Sequence, residues 1–374
     1  MSGRMQHPPI VSAGAWPEPP ALPEPIAVVP TAAPPRVPHR FAFDGTAGEY
    51  FRIWIVNLAL SLVTFGIYSA WAKVRTQRYF YGNTRLDDVP FEYLARPLPI
   101  LAGRIVAVVL FVGYVLAGQL SLWLQIALAL LIALATPWLL VRGAAFRARY
   151  TSWRGLRFRF VPDYGQAYVR YLWLGIPLVL TLGLLYPYVK ARQKAFLVEQ
   201  HRYGGQPFGF EATAGQFYPP YLIAWAVMTV WIFVGTGLLT TAVIALHRPG
   251  AEPPALLVFG WMALFYGGYF VIWAFLAAAL GNLVYNHTTI GPHRFESRLQ
   301  GGRLLWFYAS NTVAVLASAG LLIPWAKIRL ARYRAERLAV MAGGSLAAFG
   351  VEPGEDVDAT AAEIDSLFDI DIGL

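Results

Sequence analysis

Seven long apolar blocks, at about 50–72, 98–119, 121–141, 167–189, 217–246, 254–284 and 304–326, constrain the fold of this chain more than any other feature. Each reaches or approaches the ~20 residues that a helix needs to cross ~30 Å of hydrocarbon. Trp, Tyr and Phe gather near the block ends, as at Tyr50-Phe51, Trp71, Tyr186 and Trp325, where a ring can sit half-wet at headgroup level. Composition agrees: 57% of the 374 residues are hydrophobic and 14% are charged, against roughly 25% charged in a soluble domain. The expectation is a polytopic, mainly α-helical membrane protein. Blocks two and three are separated only by residues 118–121, which predicts a tight helical hairpin.

The chain also repeats itself. Superposing Lys73, Lys190 and Lys327 aligns three segments without a gap. Gly48, Gly165 and Gly302 then coincide, as do Thr64, Thr181 and Ser318; Gly66, Gly183 and Gly320; Trp71, Tyr188 and Trp325; Arg75, Arg192 and Arg329; Tyr79, Phe196 and Tyr333. The repeats cover 41–82, 158–199 and 295–338. A smaller repeat runs through the polar loops. Thr84 to Phe91, Thr151 to Phe158 and Thr288 to Phe295 share one spacing, and His201 to Phe208 keeps it with His in place of Thr. Turn residues between short aromatic and β-branched runs predict β-hairpins near 80–93, 145–161, 199–212 and 284–297. With a strand at 41–44 they would form a small sheet on the inner face.

Seven spans would put the three Lys-x-Arg ends in different compartments and break the positive-inside rule. Each repeated block, however, carries a Thr/Ser-x-Gly break at its middle. Glycine weakens a helix, and a hydroxyl can satisfy a freed backbone group. The preferred reading makes each repeated block a broken, re-entrant helical pair that returns to its starting face, leaving blocks two, three, five and six as full spans. The inner face then receives the basic residues after each copy and those of 142–159. The outer face receives only Arg248, against Glu252.

The tails differ from this 41–340 membrane domain. Residues 1–40 hold eleven prolines and no signal-peptide core, so a Pro/Ala-rich disordered tail is expected. Residues 341–374 form an acidic tail, within which 363–368 reads either as solvated chain or as a short amphipathic docking helix. Both tails are expected in the cytoplasm.

The candidate site residues follow from the repeat. Trp71, Lys73 and Arg75, Tyr188, Lys190 and Arg192, and Trp325, Lys327 and Arg329 read as interfacial anchors or as an anionic-lipid or anion site. Asn57 and Asn311 occupy equivalent intramembrane positions, where the middle copy has Leu174; with Thr64, Thr181 and Ser318 they are polar groups for helix–helix bonding or a pathway. Gly66, Gly183 and Gly320 mark the helix breaks. Arg52 and Arg104 would snorkel. No Asp or Glu lies at a block centre, which argues against a proton-coupled pump. The chain has no cysteine, and His39, His201, His287 and His293 read as loop histidines. No hydrolase, nucleotide-binding or metalloprotease motif is present, so no catalytic residue, metal or cofactor is expected. Net charge +9 points to anionic headgroups rather than nucleic acid, because the basic residues flank apolar blocks.

One stretch resembles a known family. Gly48-Glu49-Tyr50-Phe51-Arg52-Ile53-Trp54-Ile55-Val56-Asn57, Thr64-Phe65-Gly66-Ile67-Tyr68-Ser69-Ala70-Trp71-Ala72-Lys73-Val74-Arg75 and Tyr79-Phe80-Tyr81-Gly82-Asn83-Thr84 are similar to the YjgN-like bacterial inner-membrane family. Ala70 departs from it where Pro is frequent; Pro187 and Pro324 keep that residue. The resemblance implies a multi-pass bacterial inner-membrane protein and carries over no activity. Two roles remain open: a non-enzymatic transport or channel-like protein for a solute, ion or lipid, or a membrane scaffold binding anionic lipid or a protein through its basic face.

Overall fold

The structure, a computed structural model, describes residues 36–246 and 255–346. Arg248, Glu252 and the 363–368 segment lie outside them. Within the described residues five strand pairs alternate with five helical pairs.

Strand β1 (Val37–Phe43) leads into the first pair, α1 (Ala47–Val63) and α2 (Ser69–Gly82), and hairpin β2–β3 (Thr84–Leu86, Val89–Tyr93) follows. The second pair is long: α3 (Pro97–Leu120) and α4 (Leu122–Arg149), then β4–β5 (Thr151–Trp153, Leu156–Phe160). The third pair has a first arm of α5 (Tyr164–Tyr168), a π turn (Val169–Trp173) and α6 (Gly175–Leu180), with α7 (Tyr186–Glu199) as its second arm. After β6–β7 (His201–Tyr203, Gln206–Phe210) comes the long fourth pair, α8 (Ala214–Leu246) and α9 (Ala255–Asn286). Hairpin β8–β9 (Thr288–Ile290, His293–Ser297), the short fifth pair α10 (Gly301–Ala317) and α11 (Ile323–Glu336), and β10 (Leu338–Ala342) end the described chain.

The sheet is larger than the small one expected from the hairpin spacing. Every hairpin pairs with the next, and β1 pairs with both β2 and β10, so the ten strands close into an antiparallel barrel. Closure removes the exposed edges that an open sheet would present. It also draws Val37–Arg40 into structure, four residues that the sequence reading assigned to the tail. One layer of inward residues runs around the barrel in register: Phe41 opposite Leu86, Phe91 opposite Trp153, Phe158 opposite Tyr203, Phe208 opposite Ile290 and Phe295 opposite Val340. All ten are aromatic or branched, and all belong to one apolar cluster.

The next register pairs are Phe43–Thr84, Tyr93–Thr151, Phe160–His201, Phe210–Thr288 and Ser297–Leu338. Each joins the strand entering a helical pair to the strand leaving it. Every helical pair therefore departs from and returns to one rim of the barrel. The Thr column has a local cause at this rim. The hydroxyls of Thr84, Thr151 and Thr288 donate to the carbonyls of Phe80, Arg147 and Val284, at 2.8, 2.8 and 2.7 Å. Each satisfies a carbonyl left without a partner at a helix C-terminus. His201 Nδ1 makes the same bond to the Leu197 carbonyl, which explains His at this place, while the fifth unit has the apolar Leu338 there.

The short pairs turn by one device. Gly66 N–H donates to the Ser61 carbonyl and Phe65 N–H to that of Leu62; Gly183 and Leu182, and Gly320 and Ala319, repeat both bonds. These are the 6→1 and 5→2 bonds of a Schellman termination. Gly66, Gly183 and Gly320 have φ +89, +88 and +92°, a region in which a Cβ is strained, and this fixes glycine at all three. Thr64 Oγ1 donates to the Leu60 carbonyl at 2.7 Å and accepts Tyr68 N–H at 2.9 Å, linking the two arms. The turn tips are apolar and bare, with Phe65 99% and Leu182 94% exposed.

Adjacent helices pack in sequence, and α11 packs on α1, so the five pairs form a ring above the barrel rim. Among the described residues four helices, α3, α4, α8 and α9, are long and apolar enough to cross a membrane.

Candidate functional site: an apolar barrel lumen and a basic cleft

Ten strands enclose more space than ten side chains fill. An eight-stranded barrel is just filled by its side chains or holds one small ligand; here a cavity of about 570 Å³ remains inside the ring. That lies in the ~300–1,000 Å³ range of small-molecule pockets. Its wall is the ten-residue layer, with Phe158 and Tyr203 4.7 Å apart, Phe41 and Phe91 6.0 Å, and Phe208 and Phe295 6.1 Å between ring centroids. At the helix end it is lined by Tyr81 of α2, Lys194, Leu197 and Val198 of α7, and Val284 and Tyr285 of α9. Leu346, just beyond β10, packs against the same ring.

Burial disfavours the charged forms of the polar strand residues in this wall. Burial lowers the His201 pKa, opposed by its bond to the Leu197 carbonyl. Burial also pushes the Tyr203 phenol up to about 12, and its hydroxyl donates to the Trp153 carbonyl at 2.8 Å. Trp153 Nε1 donates to the Val89 carbonyl at 3.2 Å. On the strand side an uncharged aromatic wall with its donors already bonded suits an apolar chain rather than an ion, and Lys194 brings the one cation, at the helix end.

The residues singled out in the sequence lie above the rim and fall into three groups. Thr64, Thr181 and Ser318, with Gly66, Gly183 and Gly320, build the turns. Thr181 donates to the Pro177 carbonyl at 2.8 Å, and Ser318 accepts Leu322 N–H at 3.0 Å. A second group locks helices. Arg329 stacks 4.4 Å from the Phe307 ring and 5.1 Å from Trp325, and donates to Ser310 and Asn311. Arg192 bonds the Tyr188 hydroxyl at 3.1 Å, Lys190 lies 5.2 Å from the Tyr186 ring, Arg75 bonds the Tyr68 hydroxyl at 3.2 Å, and the Trp71 ring stacks on Tyr68. The third group, Asn57, Lys73 and Lys327, meets at the contact of α1 with α11. Together with Ser69, Gln77 and Arg104 these residues line a cleft of about 320 Å³. The repeat thus brings its first and last basic ends together, while the middle copy stands apart.

The comparisons with known proteins agree on a family. The one described as "Bacterial protein of unknown function (DUF898)" matches residues 38–367. The chain belongs to this family. It is similar to inner membrane protein YjgN of Salmonella typhimurium, 35% identical over 128 residues, and to inner membrane protein YjgN of Escherichia coli K12, 31% identical over 128 residues. Each match covers 33% of this chain and 31% of the relative, so the chain spans about a third of the relatives' length in these matches. No solved structure matches. Those names and the four apolar helices make this a bacterial inner-membrane protein of a family of unknown function.

The lumen was not among the sites read from the sequence. Its signal was partly present, since Phe41, Phe91, Phe158, Phe208 and Phe295 all stand in repeat columns. Their partners Leu86, Trp153, Tyr203, Ile290 and Val340 share only bulk and apolarity. Among the described residues no group of His, Asp and Glu is arranged to hold a metal.

Proposed function

We propose that this protein binds a long-chain amphiphile taken from the inner membrane, with the apolar chain in the barrel lumen and the charged head near Lys194, as a non-enzymatic lipid-handling or transport protein. The observation that carries this is the lumen: one continuous layer of ten apolar side chains around about 570 Å³, with a wall on the helix side that includes one ammonium group. A channel for ions would want a polar wall.

The membrane placement belongs to the same proposal. The long pairs cross the bilayer and cross back, whereas the short pairs dip in and return. At 1.5 Å per residue, α1 is ~25 Å long and α2 ~21 Å, too short to cross and then return to the rim. Their bare apolar tips at Phe65 and Leu182 are explained if they end in hydrocarbon. The barrel then lies at the inner face with both tails, since β1 begins and β10 ends away from the helix rim. The basic residues around the rim favour that face.

A photoactivatable long-chain fatty acid added to membranes holding the full chain tests the lumen. Cross-links are expected in peptides spanning 84–93, 151–160, 201–210 and 288–297, and Val340→Trp, which fills the lumen, is expected to remove most of them. Cross-links confined to the outward faces of α3, α4, α8 and α9 would reject the lumen and favour the scaffold reading.

A further inference from the structure

The first and last helical pairs align without a gap, yet they differ in how one shared buried amide is bonded. Asn311, 8% exposed, donates through Nδ2 to the Ala326 carbonyl at 3.3 Å, and its Oδ1 accepts from Arg329 at 3.1 Å. Asn57, 5% exposed, donates to the Ala72 carbonyl at 3.5 Å, and its Oδ1 has no hydrogen-bond partner. Arg75 holds the position equivalent to Arg329 and turns away to the Tyr68 hydroxyl. Buried acceptors are almost always satisfied, so an orphaned one on a residue that lines a cleft asks for a donor.

The cleft around Asn57 supplies the rest of a recognition site. Lys73, Arg104 and Lys327 bring three cations to its wall. Arg104 reaches across from α3 to donate to Ser69 Oγ, which orients its guanidinium over the cleft, and the Lys327 ammonium lies 6.0 Å from the Tyr50 ring. Its height is also informative. Asn57 stands ~15 Å along α1 from the rim and Arg104 ~10 Å along α3. Over that height α4 changes from Arg142, Arg147 and Arg149 to continuous apolar sequence. A membrane surface at that level puts the cleft among the phosphates. The wall is built mainly by the short pair α1 and α2, with Arg104 from the long helix α3 and Lys327 from α11.

We infer that this cleft holds the headgroup of one inner-leaflet glycerophospholipid, with its phosphodiester against Lys73, Arg104 and Lys327 and its head hydroxyl or ammonium donating to Asn57 Oδ1. Three cations alone would accept any anion. The acceptor beside them selects a phosphodiester that carries its own donor, as phosphatidylglycerol and phosphatidylethanolamine do. The site stands independently of the lumen: it takes a head, whereas the lumen takes a chain.

Native mass spectrometry of the full chain in mild detergent, titrated separately with phosphatidylglycerol, phosphatidylethanolamine and inorganic phosphate, tests this. The wild type is expected to retain one phospholipid that inorganic phosphate does not displace. Asn57→Leu, which installs the residue the middle copy carries as Leu174, and Lys327→Gln, at an exposed position, should each weaken retention about tenfold, the loss expected for one hydrogen bond to the headgroup. Lys190→Gln in the middle copy should leave it unchanged. Should Asn57→Leu fail to fold, Lys327→Gln decides. Retention equal to wild type in the folded variants, displacement by inorganic phosphate alone, or no retained phospholipid in the wild type would each overturn the inference.

Discussion

The barrel and the helical ring are made by the same five units, but they tolerate variation very differently. In the barrel, every unit contributes the same layer at the same height, and the register never slips. Above the rim, three units carry short broken pairs and two carry long unbroken ones. The difference lies in what each neighbour must match. A one-residue slip in a strand would turn its lumen residue outward and unpair the next strand, so closure constrains all ten at once. A helical pair needs only to leave the rim and return to it. Its length is free.

This contrast is sharpened first by large-to-small changes in the two regions. Trp153→Ala removes a ring that is 3% exposed, together with its bond to Val89, and is expected to cost about 3–5 kcal/mol in thermal or denaturant unfolding of the detergent-solubilised protein. Trp123→Ala, on the long fourth helix where the ring is exposed, should cost under about 1 kcal/mol. Equal losses would show that the barrel does not organise the fold.

A smaller effect separates the short pairs from the long ones. Gly66→Ala forces a Cβ into φ +89° and should destabilise by about 1–2 kcal/mol. Gly113→Ala, inside the unbroken α3 with nothing within 4 Å of the added carbon, should stabilise by up to about 1 kcal/mol. The same substitution would then act with opposite signs in the two kinds of pair, as read by the shift in melting temperature.

The smallest expected effect concerns His201, at a rim position that three other units fill with Thr. Burial lowers the His201 pKa below its usual 6.5. Above that value both folded and unfolded states are neutral, and stability is at its maximum. As pH falls below 6.5 the unfolded chain takes up the proton first, so stability is lost on acidification. His201→Thr keeps the bond to the Leu197 carbonyl and removes that proton uptake. The melting temperature should fall less between about pH 7.5 and about pH 5.5 than it does in the wild type. His293, lowered by burial and by His39, leaves a residual slope of the same sign. An unchanged slope would show that His201 is not the group responsible.

Much of the helical layer was legible in the sequence because its signals are long. Blocks of twenty apolar residues, a gapless repeat and glycines at matching breaks survive any change of context. The barrel was less legible. Strands β2, β4, β6 and β8 are three residues each, too short for an alternating pattern to show. Closure rests on β1 pairing with β10 across nearly the whole described chain, and no local signal announces such a contact. The cleft was half visible: Asn57, Lys73 and Lys327 were singled out by the repeat, but their meeting follows from α11 lying beside α1. The open acceptor on Asn57 was invisible, because its origin is the different orientation of two equivalent arginines, Arg75 and Arg329.

The central claim is that every helical pair, short or long, leaves from and returns to one rim, so that the barrel lies wholly at the inner face. The chain contains no cysteine, which allows this to be measured directly. Single cysteines can replace Glu49 and Arg78 at the two ends of the first short pair, Arg154 at a hairpin tip, and Ser121 between the long helices α3 and α4. With an impermeant thiol reagent on intact cells, only Ser121→Cys should react, and the other three should react after the membrane is opened. Labelling of Glu49→Cys but not Arg78→Cys in intact cells, or the reverse, would show that the short pair crosses, and the one-rim architecture would be contradicted.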